Sequence, residues 1–283
     1  METLIKLRGI RKGYGGKQVL DGLDLDVQRG QIIGLVGVNG AGKTTLLNAI
    51  LGLAACDGDI EVLGQDPRRD RAGLLRRVAY ISDVACLPRW LRVDEVIRYT
   101  ATVHPNFDEG RCRAILAGTQ IPARAKIKQL SKGMVTQLHL ALVMAIDADL
   151  LVLDEPTLGL DVVYRQGFYQ RLLEDYFDHS RTIIVTTHQV EEIEHILSHV
   201  LFLHDGRFVL SSSVDEIQDH FSQLQVGPAE LAAARELGPL AERATMAGHL
   251  LTFERSRAEL AGLGQISTPS LADIFVAKVG RAA

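Results

Sequence analysis

Residues 37–44, with the sequence GVNGAGKT, constrain the fold of this chain more than any other feature. They match the pattern G-x-x-x-x-G-K-[ST]. The continuous apolar run Ile32–Val36 precedes them, as expected for a buried strand of a parallel sheet, and helical character follows over residues 44–51. The segment therefore predicts a strand, a glycine-rich loop and a helix in succession. A glycine-rich turn without a ligand is the alternative.

Such a loop binds phosphate, because glycines let successive backbone N–H groups point inward and the helix N-terminus adds a partial positive charge. Lys43 is predicted to neutralise the β- and γ-phosphates of a nucleotide, and the Thr44 hydroxyl to ligate Mg²⁺. We therefore expect ATP and Mg²⁺ as ligands. The residues expected to contact the nucleotide here are Gly37, Val38, Asn39, Gly40, Ala41, Gly42, Lys43, Thr44 and Thr45.

Two carboxylates, Asp154 and Glu155, directly follow the apolar run 150–153. Ligands of a parallel sheet bind at the carboxyl ends of its strands, so we expect both side chains near the glycine-rich loop. Asp154 is predicted to hold Mg²⁺ through water. Glu155 is predicted to polarise an attacking water molecule, with Lys43 as the second catalytic residue. Strands often end in Asp, so the acidic pair indicates a nucleotide site only in combination with the glycine-rich loop.

Apolar runs alternate with helical segments along most of the chain. The predicted strands are 4–7, 23–27, 60–63, 78–82, Thr182–Thr187 and 200–203, and the predicted helical segments lie within 92–145 and at 164–176 and 189–197. This alternation predicts a parallel sheet with helices on both faces. A change in composition near the serines at 211–213 predicts a nucleotide-binding domain over residues 1–214 and a small C-terminal α+β domain over 215–283.

Composition and charge argue against several classes of protein. The net charge of −4 gives no sign of attraction to nucleic acid, and the Arg-rich stretch 67–77 has no interleaved aromatic residues for base stacking. The three cysteines lack metal-ligand spacing and favour a reducing compartment. No run approaches the ~18 apolar residues of a membrane span, and the first residues lack the apolar core of a signal peptide.

The segment Leu130-Ser131-Lys132-Gly133-Met134 lies between the glycine-rich loop and the acidic pair. With the motifs in this order, about residues 2–215 resemble the ABC ATPase family, whose signature is L-S-G-G-Q. Ser131 and Gly133 match the signature residues that face phosphate, whereas Lys132 and Met134 depart from it. Ser131 also stands where a helix can begin, offering a hydroxyl and free N–H groups. A plain N-capped helix is the alternative.

The resemblance implies a fold and further site residues. The fold is an α/β P-loop NTPase: a RecA-like parallel core sheet, an antiparallel β subdomain, and a helical subdomain at about residues 86–145. Tyr14 stands where the family has an aromatic residue that stacks on adenine, with a turn tyrosine as the alternative. Asp161 ends the loop 158–161, which crosses the dimer interface in the family. His188 matches the switch histidine that contacts the γ-phosphate.

Two further positions follow the predicted strand 78–82. Asp83 stands where the family usually has a Gln that meets Mg²⁺ and the attacking water. Either the Asp83 carboxylate still reaches the metal, or this loop position tolerates change. Trp90, the single Trp of the chain, lies in a region that meets a short cytoplasmic helix of the permease in the family; packing into the helical subdomain is the alternative.

The resemblance implies an ATP-binding and ATP-hydrolysing subunit that drives transport through a separate transmembrane permease. The Leu-Ser-Lys-Gly-Met form and the ending 269–275 are similar to bacterial exporters, so export is expected. A homodimer, or a heterodimer with a related ATPase subunit, is expected at the cytoplasmic face of the inner or plasma membrane. Two alternatives remain: a soluble ABC ATPase of an assembly or translation-factor complex, and a regulatory subunit that binds ATP without hydrolysis. The presence of Lys43, Glu155 and His188 argues against a subunit that binds ATP without hydrolysis.

Overall fold

A computed structural model describes residues 2–82 and 87–282 of the chain. Within these ranges the backbone forms three sheets. Their strands are β1 (Thr3–Tyr14), β2 (Lys17–Gln28), β3 (Ile32–Val36), β4 (Asp57–Val62), β5 (Val78–Ile81), β6 (Leu150–Asp154), β7 (Thr182–Thr187), β8 (His199–His204), β9 (Arg207–Ser213), β10 (Ser222–Val226), β11 (Ala241–Thr245), β12 (Gly248–Phe253) and β13 (Gln265–Ser267).

The α-helices of the same described residues connect and cover these sheets. They are α1 (Lys43–Ile50), α2 (Arg71–Leu75), α3 (Val93–Val103), α4 (Glu109–Ala117), α5 (Lys132–Met144), α6 (Val162–Arg171), α7 (Val214–His220), α8 (Leu231–Glu236) and α9 (Leu271–Ala282). None of the described helices is long and apolar enough to cross a membrane.

The central sheet has the strand order β5-β6-β7-β3-β8-β9, parallel except for the antiparallel pair β8–β9. Every residue of β3, β6 and β7 is buried, which explains why these strands are continuous aliphatic or Thr-containing runs. In register, Val36 lies opposite Thr187 and Asp154 lies opposite Thr186. The carboxyl ends of three strands therefore meet at one edge, and the residues that follow them are brought together.

Helix α1 contacts both the antiparallel sheet β2-β1-β4 and strand β6 of the central sheet. Leu7 of β1, Leu47 of α1 and Val152 of β6 belong to one buried apolar cluster. This packing fixes the helix that follows the glycine-rich loop between two sheets. The parallel core sheet and the antiparallel sheet agree with the expected P-loop NTPase fold.

Helices α3, α4 and α5 form a helical unit with an apolar cluster of its own, which includes Ile97, Cys112 and Leu138. Side-chain caps begin two of its helices. Asp108 accepts a hydrogen bond from the backbone N–H of Arg111 at 2.9 Å to begin α4, and Ser131 caps α5. Residues 104–108 and 118–131, which contain Pro105 and Pro122, separate these three helices.

The C-terminal sheet has the order β11-β12-β10-β13 and packs on α8. Helix α9 then returns to the main body of the chain. Leu271 and Ile274 join the buried cluster that contains Val190, and the rings of Phe275 and Phe202 lie 5.1 Å apart in an edge-on contact. The division at residue 214 stays a prediction, with α7 running across that point.

Two helical predictions differ from the structure. Residues 189–197 form two 3₁₀ turns, Val190–Glu192 and Glu194–Ile196, instead of an α-helix. The backbone N–H groups there donate to carbonyl oxygens three residues earlier, Ile193 to Val190 at 3.1 Å and Ile196 to Ile193 at 2.9 Å, as in a 3₁₀ turn. The helix predicted over 164–176 is α6 as far as Arg171, and it continues as the π-helical turn Leu172–Tyr176.

Candidate nucleotide-binding site

Close backbone approaches require two glycines of the loop before α1. Gly42 has a φ of 109°, and a Cβ there would lie 2.9 Å from the carbonyl oxygen of Val19 on β2. A Cβ at Gly37 would lie 2.5 Å from the carbonyl oxygen of Leu203 on β8. The loop therefore sits against the backbone of two strands, and this contact fixes the position at which α1 begins.

Lys43 is the first residue of α1 and is only 7% exposed. Its Nζ donates to the carbonyl oxygens of Gly37 at 2.7 Å and Val38 at 3.4 Å, and it lies 3.8 Å from Glu155 Oε1. Burial lowers the pKa of Lys43, and the carboxylates of Glu155 and Asp154 oppose this effect. The ammonium group is thus held between the glycine-rich loop and the acidic pair.

Asp154, the last residue of β6, is 1% exposed, and threonine hydroxyls donate to both of its carboxylate oxygens. Thr44 Oγ1 donates to Asp154 Oδ2 at 2.8 Å from the first turn of α1. Thr186 Oγ1 donates to Asp154 Oδ1 at 2.5 Å from the neighbouring strand β7. The carboxylate is therefore fixed between the phosphate-loop helix and the sheet.

Glu155 begins the turn after β6 with a left-handed backbone, at a φ of 48°. Its N–H donates to Thr186 Oγ1 at 3.0 Å. Its side chain is 16% exposed, and Oε2 lies 2.8 Å from Nδ1 of His188, which follows β7. The Glu155 carboxylate therefore stands between the Lys43 ammonium group and the imidazole of His188.

Lys43, Asp154 and Glu155 border a cavity of about 410 Å³ at the edge of the central sheet, and His188 stands behind Glu155 without lining it. The predicted site residues that line it are Asn39, Gly40, Gly42, Lys43, Thr44, Thr45, Asp154 and Glu155, together with Val19. Gly37 and Val38 face the Lys43 side chain through their carbonyl groups, and the Ala41 N–H closes the loop by donating to Val38 O at 3.1 Å. The loop and the acidic pair thus share one cavity.

The donor set of this cavity fits Mg²⁺. Thr44 and Asp154 offer hard oxygen ligands 2.8 Å apart on the floor of the cavity. Residues 2–82 and 87–282 contain no group of three or more His, Cys, Asp or Glu side chains that could hold a metal by themselves. Mg²⁺ usually binds through one or two protein ligands, water and substrate phosphates, so a sparse site beside a phosphate loop suits this ion.

Ser131, Gly133 and Asp161 do not line that cavity. Ser131 is the N-cap of α5, as predicted, and its hydroxyl accepts a hydrogen bond from Met134 N–H at 3.2 Å. Asp161 caps α6 by accepting from Tyr164 N–H at 2.8 Å. A Cβ at Gly133 would lie 3.5 Å from Gly159 O, so the starts of the two helices adjoin.

Three other predicted residues have different surroundings. Tyr14, at the end of β1, is 51% exposed and does not line the cavity; the ammonium group of Lys12 lies 4.9 Å from its ring centroid. Asp83 lies outside the described residues. Trp90 is 73% exposed at the edge of the helical unit, which disagrees with the alternative that it packs into that unit.

Two residues of the site, Val19 and Thr186, were not predicted from the sequence. Val19 lines the cavity from β2, and nothing in its sequence context distinguishes it from other strand valines. Thr186 holds both acidic residues through its hydroxyl. A signal for Thr186 was present, because a polar residue near the end of a fully buried strand needs a hydrogen-bond partner, and the carboxyl edge of the sheet supplies one.

The parallel sheet, the glycine-rich loop and the acidic strand end define a P-loop ATPase. A family model described as ABC transporter matches residues 20–158. A second model, described as AAA domain, putative AbiEii toxin, Type IV TA system, matches residues 124–194.

Similar proteins and a solved structure share this organisation. The chain is 34% identical to Nod factor export ATP-binding protein I of Paraburkholderia xenovorans (strain LB400), over 88% of this chain and 85% of that protein. It is 25% identical to ABC transporter ATP-binding protein YtrB of Bacillus subtilis (strain 168), over 98% of both chains. A solved structure described as the ATP binding subunit of an ABC transporter superposes with a TM-score of 0.69 at 26% identity, over 76% of this chain and 92% of the other.

The chain therefore belongs to the ATP-binding subunits of ABC transporters. It is an ATPase whose hydrolysis of ATP is coupled to transport through a separate transmembrane partner. The family and the fold predicted from the order of the motifs are confirmed.

Proposed function

We propose that this ATPase powers export, from the cytoplasmic face of the membrane, as a two-fold homodimer bound to permease subunits. The observation that carries the proposal is the grouping of Lys43, Asp154, Glu155 and His188 at one edge of the sheet. Several relatives are named as export proteins, which favours this direction of transport. The exposed Trp90 supports a docking surface for the permease on the helical unit.

ATP would bind with its phosphates at the N-terminus of α1. The backbone N–H groups of residues 37–44 and the ammonium group of Lys43 would stabilise the negative charge of the β- and γ-phosphates. Thr44 and Asp154 would hold Mg²⁺, which neutralises charge on the phosphate oxygens when bound. Tyr14 is assigned to adenine stacking, and its half-exposed ring at the end of β1 leaves one face for a base.

Hydrolysis requires a water molecule aligned with the bond between the γ-phosphorus and the β–γ bridging oxygen. Glu155 would accept a hydrogen bond from this water, so that a P–O bond forms to the water oxygen as the bridging bond breaks. His188, 2.8 Å from the Glu155 carboxylate, would keep that carboxylate oriented and contact the γ-phosphate. These steps consist of positioning and charge stabilisation rather than covalent chemistry with the protein.

A homodimer would complete each site with residues from both chains. Ser131 and Gly133 begin α5 outside the cavity of their own chain, where a helix N-terminus and the proton of the Ser131 hydroxyl suit the γ-phosphate of a nucleotide on a second copy. Asp161 begins α6 beside them, next to the exposed side chains of Val162 and Val163. One sequence thus carries both halves of the site, and two-fold symmetry would form two of them.

Mixing two inactive variants tests this arrangement. Lys43→Ala removes the phosphate-binding half and Ser131→Arg blocks the other half, so each homodimer has two defective sites. A mixed dimer has one site with both halves intact, and we expect partial ATPase activity to return. Ser131→Arg must still bind ATP, and subunit exchange must be shown by energy transfer between labelled chains. If subunits exchange and no activity returns, either the two sites are strictly coupled or the working partner is a different ATPase chain, and crosslinking through a cysteine placed near Asp161 separates these two outcomes.

Fractionation tests the membrane assignment. The chain expressed with its permease should sediment with membranes and remain bound after extraction in mild detergent. Recovery only in the soluble fraction, in a ribosomal or assembly complex, would favour the alternative class of ABC ATPase.

A further inference from the structure

We propose that Thr186 is a positioning residue that holds Asp154 and Glu155 in the geometry needed for ATP hydrolysis. The inference rests on the proposed roles of these two carboxylates and adds a residue that does not touch the nucleotide. Thr186 is 0% exposed, lies next to the last residue of β7, and pairs with Asp154 in the parallel register of β6 and β7.

The hydroxyl of Thr186 makes two hydrogen bonds of defined direction. It donates its proton to Asp154 Oδ1 at 2.5 Å and accepts from the Glu155 N–H at 3.0 Å. A threonine hydroxyl has one proton, and an ionised carboxylate can only accept. The direction of the first bond is therefore fixed, and the lone pairs of the same oxygen remain for the Glu155 N–H.

The bond to Asp154 sets the orientation of the carboxylate that faces Thr44. Asp154 Oδ1 is occupied by Thr186, so Oδ2 is the oxygen that accepts from Thr44 Oγ1 and faces the cavity. Removing the Thr186 hydroxyl would leave a carboxylate oxygen of a 1% exposed residue without this donor. The carboxylate would then be free to rotate away from the position proposed for Mg²⁺.

The bond to Glu155 stabilises an unusual backbone. Glu155 has a φ of 48°, a region that non-glycine residues seldom adopt. Its N–H also points at the Thr186 carbonyl oxygen, but at the longer distance of 3.3 Å. The hydroxyl at 3.0 Å is the nearer of these two acceptors, and this turn directs the Glu155 side chain toward Lys43 and His188.

A purely structural role for Thr186 makes a different prediction. Thr is β-branched and suits a buried strand, and Val has nearly the same shape and an equal preference for strands. If Thr186 only filled space, Val would replace it without loss, and Ser, which lacks the methyl group, would be the poorer substitute. If the hydroxyl positions the acidic pair, Ser is the better substitute for Thr186 and Val the poorer one.

The test compares Thr186→Val and Thr186→Ser with the matched control Thr182→Val. Thr182 lies on the same strand, is also 0% exposed, and accepts a hydrogen bond from Gly30 N–H at 3.1 Å far from the site. We expect Thr186→Val to lower kcat roughly 10- to 100-fold with a change in KM for ATP below about threefold. Thr186→Ser should restore kcat to within about fivefold of the wild type, and Thr182→Val should leave it unchanged.

Thermal unfolding of the isolated chain gives a readout that does not need hydrolysis. The midpoint temperature of unfolding is measured once with ATP and MgCl₂ and once with ATP and EDTA. The difference between the two temperatures reports the Mg²⁺-dependent part of ATP binding. This difference should shrink in Thr186→Val and remain in Thr182→Val and Thr186→Ser. A Thr186→Val variant that keeps both the turnover and the Mg²⁺-dependent shift of Thr182→Val would overturn the proposal, as would a Thr186→Ser variant as inactive as Thr186→Val.

Failure of this inference can be separated from failure of the proposed function. Glu155→Gln, measured in the same assay, tests the role of Glu155 directly. Wild-type turnover of Glu155→Gln would reject that role. An inactive Glu155→Gln beside a fully active Thr186→Val would reject the role of Thr186 alone.

Discussion

Replacement of Glu155 by Gln should stop hydrolysis and strengthen ATP binding. The amide has nearly the size of the carboxylate but carries no charge and is a much weaker base. Loss of a general base lowers the rate by about 10²–10⁴-fold. The 2.8 Å contact with His188 can persist, because an amide also forms hydrogen bonds. The substitution therefore removes charge and basicity while preserving the shape of the site.

The expected gain in affinity follows from the position of Lys43. Glu155 Oε1 lies 3.8 Å from Lys43 Nζ, and a pair of charges at that distance attracts by about 4 kcal/mol at an effective dielectric constant of 20. Desolvation of the two groups offsets much of this attraction. In the Gln variant Lys43 has no such competitor for the phosphates, and a net gain of about 1.4 kcal/mol would tighten ATP binding about tenfold.

Three measurements check this prediction. Phosphate release gives turnover, equilibrium titration with a fluorescent ATP analogue gives affinity, and gel filtration with ATP shows whether the dimer persists. Glu191→Gln is the matched control, since it makes the same chemical change at an exposed position on the segment after His188. Turnover of Glu155→Gln close to the wild type, in the complex with the permease, would refute the reasoning.

Two further predictions concern regions outside the cavity. A chain ending at Ser213 should still bind ATP but unfold at a lower temperature, because it loses Leu271 and Ile274 from the main cluster and each buried aliphatic side chain contributes about 1.5–3 kcal/mol; a folded but non-binding chain would contradict this. Asp83→Ala should raise the Mg²⁺ concentration needed for half-maximal hydrolysis, since a carboxylate is a hard ligand for this ion; an unchanged Mg²⁺ titration would leave Asp83 as a tolerated change in the loop.

The central sheet was predictable because its strands are chemically distinct from their surroundings. Ile32–Val36 and Thr182–Thr187 are buried on both faces, so their sequences are continuous runs with the bounds that the structure has. Parallel strands bring their carboxyl ends to one edge, and this rule places Lys43, Asp154 and Glu155 in one site without knowledge of side-chain contacts.

Other parts depend on contacts between residues far apart in the chain. The segment 189–197 was predicted as helical, whereas its backbone forms two 3₁₀ turns. The return of α9 to the main cluster depends on the partners of Leu271, which no local pattern identifies. The four-stranded sheet of residues 215–283 is fixed by pairing between strands, which no local pattern identifies.

The conformation of Glu155 shows why local rules fail at the site itself. A non-glycine residue in the left-handed region costs about 1–2 kcal/mol, so the sequence favours another backbone at this position. The hydrogen bonds that favour the observed turn come from Thr186, 31 residues away along the chain. The hydrogen bond from the Glu155 N–H to the Thr186 hydroxyl joins two neutral groups and contributes about 0.5–1.5 kcal/mol, which offsets much of the cost of the turn. The carboxylate that faces Lys43 is therefore positioned by tertiary contacts made at the edge of the finished sheet.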